Sequence, residues 1–166
     1  TPRAAAGAMV LLIRRAQALM EAAGDDGDFD ALCQQLHRYQ ATLRTCFTLE
    51  NFDNLIKNGR MRPIVGTLLR SLGIHIIADA TAEGTIHVAD KARGVGKTYR
   101  AITALMKASK DCTDAEVVIS HCENLEGAMA LKRQILADLP VKQVDLLSCR
   151  GLTSFYAMEK GLIVGY

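Results

Sequence analysis

The stretch Asn58-Gly59-Arg60-Met61 and, further along the chain, Asp90-Lys91-Ala92-Arg93-Gly94 decide the expected fold. The first places Arg60 in a glycine turn after an apolar segment. The second places Lys91 and Arg93 in a turn before a glycine that opens a helical pattern. A helix N-terminus flanked by two basic residues favours an anion such as a carboxylate or a phosphate. Arg93 is the leading candidate for this contact because a guanidinium matches a carboxylate and stays charged; the alternative is a surface arginine paired with Asp90.

The composition indicates one domain, or one domain with a remnant of another. The chain has 166 residues, of which 49% are hydrophobic, and its net charge of +2 is spread along the sequence. A nucleic-acid binder usually concentrates its basic residues on one face, so that class is not expected. The longest strongly apolar run, residues 8–13, is too short to span a bilayer, and no stable membrane insertion is expected. The start without Met suggests a fragment of a longer chain.

Five cysteines without a C-x-x-C pair argue against a disulfide framework and against a zinc site. They favour a reducing cytoplasm, and no metal or cofactor is expected. No Gly-x-Ser-x-Gly elbow and no pair of carboxylates indicates a catalytic set. The chain is therefore not expected to be an enzyme by itself.

Hydrophobic periodicity predicts an α/β (α+β) fold, a mixed β-sheet with packed helices. Predicted helices run from Pro2 to Gly24, from Asp28 through Leu36, from Leu49 to Lys57, from Pro63 to Gly73, from Val95 through Met106 and from Asn124 to Leu139. Predicted strands cover Thr42–Thr48, Ile74–Ala78, Thr85–Ala89, Glu116–Ser120, Val141–Ser148 and Leu162–Tyr166. The second and third strands form a hairpin around Ala82-Glu83-Gly84, and Cys149–Lys160 is predicted to be a loop.

Gly94-Val95-Gly96-Lys97-Thr98 offers a different function, because it follows a strand and opens a helix as a phosphate-binding loop does. The Walker A pattern needs a glycine where this chain has Lys91. No downstream strand ends in an acidic residue placed to hold magnesium. A phosphate- or nucleotide-binding enzyme that uses Gly94–Thr98 is therefore kept as the alternative function.

Several segments, in this order and spacing, resemble the DegV family. Residues 54–61 are similar to the family's N-L-x-x-x-G-R-I turn, and Lys91-x-Arg93-Gly94 follows as in the family. Residues 121–128 resemble its H-x-x-x-x-E-x-A segment. The resemblance covers nearly the whole chain and fits a C-terminal portion. It implies that residues 1–41 are the helical end of a truncated first domain and that residues 42–166 form the DegV-like C-terminal domain.

The resemblance implies a cytoplasmic protein that binds a long-chain fatty acid between two domains and presents its carboxylate to a separate fatty acid kinase. The family's main carboxylate segments, T-S-Q-P-S and S-G-T, are missing from this chain. Its usual H-T-G-P-G loop is replaced here by residues 154–161, where Ser154 or Tyr156 would supply a hydroxyl.

An acyl chain needs a dry apolar wall, because burial gains roughly 0.8 kcal/mol per methylene. Two apolar stripes are candidates for that wall, namely Val65, Leu68, Leu69 and Leu72 on a helix and Ile74 and Ile76 on a strand. The alternative is that these residues are simply core. In that case the chain would be a structural or interaction domain without a ligand.

Overall fold

The structure, a computed structural model, describes residues 5–25, 27–61, 73–80 and 85–166. Its helices are α1 Gly7–Ala23, α2 Phe29–Thr42, α3 Asp53–Lys57, α4 Val95–Ser109, α5 Leu125–Asp138 and α6 Gly151–Ala157. Its strands are β1 Thr45–Leu49, β2 Ile74–Ala80, β3 Ile86–Arg93, β4 Glu116–His121, β5 Gln143–Ser148 and β6 Leu162–Gly165.

The strands form one mixed sheet in the order β3-β2-β1-β6-β4-β5. Strands β4 and β5 run parallel, joined by α5, whereas the other neighbouring strands run antiparallel. The antiparallel pairing of β2 with β3, which the predicted hairpin requires, is present. The prediction of a mixed sheet with packed helices is confirmed.

One face of the sheet is covered by α4 and α5. Ile102 and Met106 of α4 and Leu131 and Ile135 of α5 are fully buried against it. The sheet residues of this core include Cys46, Ile77, Val117, Ile119 and Val164. The four-residue spacing of the buried positions within each helix is that of one helix face.

The opposite face is covered in two parts. Helix α1 packs over β4, where Leu11, Leu43 and Val118 form a small cluster. Helices α3 and α6 pack further along, where Leu55 and Ala157 join a second cluster. The sheet residues of that second cluster include Phe47, Leu49, Ile76, Ala78 and Ile163. The surface between α1 and the α3–α6 pair is therefore available for a cleft.

Two glycines let α1 lie directly on the sheet. A Cβ atom at Gly7 would stand 2.4 Å from the carbonyl oxygen of Val118, and one at Gly165 would stand 2.1 Å from the nitrogen of Ala8. Both distances are far below van der Waals contact, so each glycine permits a backbone-to-backbone approach. The boundary between residues 1–41 and 42–166 stays a prediction, and α1 contacts the sheet formed by the second of these ranges.

Side-chain caps fix the helix starts that the sequence predicted. Asp28 Oδ1 accepts the backbone N–H groups of Asp30 and Ala31 at the start of α2. Asn124 Oδ1 accepts the N–H of Gly127 at the start of α5. Both caps were expected from the residue type and from the apolar pattern that follows.

Several predicted boundaries differ from those of the structure. The strand predicted from Thr42 starts at Thr45, because α2 continues to Thr42. The helix predicted from Leu49 starts at Asp53, because Leu49 pairs with Ile76 in the sheet and Asn51 Oδ1 accepts the Asp53 N–H at 2.8 Å. The strand predicted to end at Ala89 continues to Arg93. The loop predicted for Cys149–Lys160 contains α6.

Lys91 and Arg93 therefore lie in a strand and not in a turn, because Lys91 pairs with Ile76 and Arg93 with Ile74. The helix predicted from Pro63 to Gly73 and the turn at residues 82–84 fall on positions outside the described residues, apart from Gly73 itself.

Candidate functional site

A cleft of about 860 Å³ opens on the face of the sheet that carries α1, α3 and α6. We call it the cleft below. Its volume lies within the range of roughly 300–1,000 Å³ typical of small-molecule sites. Its lining residues are Ala5, Ala6, Thr45, Phe47, Leu49, Leu55, Asn58, Gly59, Arg60, Ala80, Thr85, Ile86, Leu152, Thr153, Tyr156, Ala157 and Ile163.

The floor of the cleft is apolar and follows strand β1. Phe47 and Ile163 lie opposite each other on β1 and β6. Thr45 marks the end of β1 nearest the start of α1, and Leu49 marks the end nearest α3 and α6. The four residue steps from Thr45 to Leu49 span about 13 Å of extended strand. The cleft is thus an elongated apolar trough.

Arg60 and Tyr156 bring polar groups to this apolar cleft. Arg60 follows Gly59, whose φ of 67° lies in the left-handed region. The backbone N–H of Arg60 donates to the Leu55 carbonyl at 2.8 Å. The turn that follows α3 therefore places Arg60 at the cleft wall, where it is exposed. A guanidinium beside an apolar trough suits a ligand with one anionic end.

Tyr156 comes from α6, on the other wall. Its ring packs edge-on against Phe155, with ring centroids 5.1 Å apart. Ser154, the other hydroxyl candidate, donates its Oγ to the Gly151 carbonyl at 2.8 Å. Ser154 is not among the described residues that line the cleft, whereas Tyr156 is.

Sequence reasoning missed Leu152 and Thr153, which also line the cleft. Because the segment was predicted to be a loop, its helical spacing was not used. Leu152 lies four residues before Tyr156, and Thr153 lies four residues before Ala157, which is the spacing of neighbours on a helix. This spacing is the available signal, and it is weak because it covers less than two helical turns.

The basic residues of β3 lie away from the cleft. Lys91 and Arg93 are exposed on the edge strand, and neither lines the cleft among the described residues. Ile76 is fully buried in the cluster beneath the cleft. Val65, Leu68, Leu69 and Leu72 fall outside the described part of the chain.

A smaller cavity of about 300 Å³ lies at the N-termini of α4 and α5, next to the Gly94–Thr98 segment. Val95 and Thr98 line it, but so do the carboxylate residues Glu50 and Glu126. Lys160 also lines this cavity, and its Nζ forms an ion pair with Glu50 Oε2 at 3.8 Å. Two acidic side chains around so small a space oppose a phosphate group by charge repulsion. The cavity therefore gives no support to the nucleotide-binding alternative.

Within residues 5–25, 27–61, 73–80 and 85–166, no group of three or more His, Cys, Asp or Glu side chains is placed to hold a metal ion. No helix in the same residues is both long and apolar enough to cross a membrane.

The sequence is similar to a known family over almost its full length. A family model described as "Uncharacterised protein, DegV family" matches residues 3–162. A DegV domain-containing protein of Streptococcus gordonii is 31% identical over 163 residues, which is 98% of this chain and 56% of the relative. A DegV domain-containing protein of Streptococcus pneumoniae is 32% identical over 164 residues, with the same shares. The chain therefore spans little more than half the length of the relatives it matches.

Solved structures of this family have the same fold. The Fatty Acid Kinase (Fak) B3 protein of Streptococcus pneumoniae, loaded with linoleic acid, is 30% identical with a TM-score of 0.89. The match covers 99% of this chain and 57% of that one. A DegV family protein of Ruminococcus gnavus with vaccenic acid is 28% identical with a TM-score of 0.84, over 95% of this chain and 55% of that one.

Proposed function

The chain belongs to the DegV family, and we propose from this membership that it is part of a protein that binds a long-chain fatty acid. The observation that carries the proposal is the elongated apolar cleft with Arg60 and Tyr156 in its walls. Each methylene buried there gains roughly 0.8 kcal/mol before the costs of binding are subtracted. The relative from Streptococcus pneumoniae, which has the same fold, holds linoleic acid.

In this proposal the acyl chain lies along the floor formed by Phe47 and Ile163. The carboxylate lies near Arg60, and the Tyr156 hydroxyl donates a second hydrogen bond to it. Charge-assisted hydrogen bonds of this kind are the strong ones in binding sites. Residues 1–41 would be the end of a first domain and would contribute Ala5 and Ala6 to the cleft, and residues 42–166 would supply the rest of its lining.

The bound acid would be presented to a separate kinase, which phosphorylates its carboxylate, so this chain would supply binding and not catalysis. The name of the pneumococcal relative, a fatty acid kinase B protein, supports such a partnership. A cytoplasmic location is part of the same proposal. It is supported by the five cysteines, all of which are free thiols in the structure.

The first test is solvent extraction of the full-length protein purified without detergent, followed by mass spectrometry of the organic phase. About one long-chain fatty acid per protein is expected. An empty protein that also takes up no added oleic or palmitic acid would refute the proposal.

The second test compares two arginines by the same change. Arg60→Gln in the full-length protein is expected to weaken fatty-acid affinity by about 10- to 150-fold, because a hydrogen bond to a charged group contributes roughly 1.5–3 kcal/mol. Arg93→Gln is the matched control and is expected to leave the affinity within about threefold, since Arg93 lies outside the cleft. Fluorescent fatty-acid displacement measures both. A larger loss of affinity in Arg93→Gln than in Arg60→Gln would assign the carboxylate contact to Arg93.

A further inference from the structure

Two cysteines that are far apart in sequence are neighbours in the sheet. Strands β4 and β5 are parallel, with His121 opposite Ser148 at their carboxyl ends. Cys122 and Cys149 directly follow these two strands, and the Cys149 N–H donates to the His121 carbonyl at 2.7 Å, so the backbones stay hydrogen-bonded at this point. Neighbouring strands lie about 4.8 Å apart. This spacing lies within the roughly 4.4–6.8 Å between Cα atoms that a disulfide requires.

The two side chains also share a side of the sheet. Both cysteines are half-buried and pack against the same cluster, the one that contains Phe47, Leu49 and Ala157. In this they differ from Cys46 and Cys112, which are fully enclosed in the core under α4 and α5. Cys33 lies on α2, in another part of the fold. Cys122 and Cys149 are therefore positioned to react with each other while remaining partly open to solvent.

We propose that Cys122 and Cys149 form a redox-active dithiol, a modification site that low-molecular-weight disulfides such as oxidised glutathione convert to an intramolecular disulfide. The thiolate of one of these cysteines attacks the small disulfide, forms a mixed disulfide and releases one small thiolate. The thiolate of the other cysteine then attacks the protein sulfur of the mixed disulfide and displaces the second small thiolate. The two protein thiols lose two protons and two electrons, and the small disulfide is reduced to two thiols.

The surroundings determine how fast this exchange runs. Burial raises the pKa of the Cys149 thiol to about 11, with the nearby Cys122 adding to the effect. Burial also raises the pKa of Cys122, next to Glu123 and Glu159. The reactive thiolate fraction is therefore small, so oxidation is slow near neutral pH. Thiols of high pKa are also poor leaving groups, so the disulfide, once formed, resists exchange.

The pair lies beside the cleft but acts independently of any ligand. Helix α6 begins at Gly151, just after Cys149, and carries Tyr156 into the cleft wall. A disulfide would tie the segment before α6 to the end of β4. Formation of this disulfide can be measured whether or not the protein binds a fatty acid.

The experiment uses the full-length protein, incubated for several hours at pH 8.5 with oxidised glutathione and then quenched with N-ethylmaleimide. Trypsin leaves Cys112 and Cys122 on one peptide, so a second protease that cuts after Glu116 is needed to separate them. Most molecules are expected to carry a Cys122–Cys149 crosslink that is lost on reduction. Separate alkylation of both thiols under these conditions, or a stable glutathione adduct on Cys149 in the unmodified sequence, would overturn the proposal.

Two variants make the result specific. Cys122→Ser removes one of the two thiols, so a glutathione adduct is expected to accumulate on Cys149 in place of the crosslink. Cys33→Ser is the matched control, and the crosslink is expected to form as before. A crosslink that persists in Cys122→Ser, or that is lost in Cys33→Ser, would show that other thiols form it and would refute the pairing.

Discussion

The contact between α1 and the sheet can be tested by adding one methyl group. In Gly165→Ala the new Cβ would stand 2.1 Å from the Ala8 nitrogen, whereas ordinary van der Waals contact begins at 3.4 Å. The backbone of α1 must therefore move by about 1.3 Å. Overpacking of this kind costs roughly 1–3 kcal/mol. Displacing α1 also loosens Leu11, which is 1% exposed and whose full burial contributes roughly 1.5–3 kcal/mol.

We therefore expect Gly165→Ala to lower the free energy of unfolding of the full-length protein by about 2–4 kcal/mol. Gly96→Ala is the matched control, because a Cβ at Gly96, near the start of α4, would meet nothing within 4 Å. In a helix, Gly to Ala is expected to raise stability by roughly 0.5–1 kcal/mol. The same change, Gly to Ala, should thus lower the free energy of unfolding at position 165 and raise it at position 96.

Urea denaturation followed by circular dichroism measures both variants. Ala5 and Ala6, which precede α1, line the cleft, so a displaced α1 should also weaken fatty-acid uptake. If Gly165→Ala were as stable as Gly96→Ala, α1 would not pack on β6 as the structure shows. The reasoning from the close approach would then be wrong.

Two further predictions concern the site and the response to pH. Tyr156→Phe is expected to reduce fatty-acid affinity by about three- to tenfold through loss of one hydrogen bond. Ser154→Ala should have little effect, because the Ser154 hydroxyl donates to the Gly151 carbonyl. Equal losses of affinity in a displacement assay would contradict this assignment. Burial raises the pKa of Cys46 from 9.0 to about 12, and burial raises that of the Tyr166 phenol above its usual value of 10.0. Folded protein keeps these protons when the unfolded chain has lost them, so stability is full below about pH 9 and falls as the pH rises further. The urea midpoint should drop between pH 8 and pH 10.5, and less steeply in Tyr166→Phe; an unchanged midpoint would show that these groups do not titrate as described.

Local sequence signals determined much of the fold. Asp28 and Asn124 mark helix starts because their side chains accept the first N–H groups of a helix, which is a property of a few adjacent residues. The alternating and helical periods located the sheet and its packed helices in the same way. The Asn58-Gly59-Arg60 turn carried the family resemblance that the full-length comparison confirmed.

Helix α6 was missed because its sequence has little of the pattern that indicates a buried helix. Leu152 is 71% exposed and Phe155 is 47% exposed, and Ala157 is its buried residue. A short helix of this kind is stabilised by the elements around it, such as Asn54, whose Nδ2 donates to the Phe155 carbonyl. The extension of β3 to Arg93 has the same origin, since it depends on pairing with Ile74.

The sequence by itself determined the family, the mixed sheet and the set of candidate polar residues, because these follow from residue type and short-range spacing. Only the tertiary structure decided which candidates share a site. It placed Arg60 and Tyr156 on one apolar cleft and left Arg93 and Ser154 outside it. It also brought Cys122 and Cys149 against the same cluster. The pairing of distant strands creates these neighbours, and strand register is a property of the whole sheet rather than of any single segment.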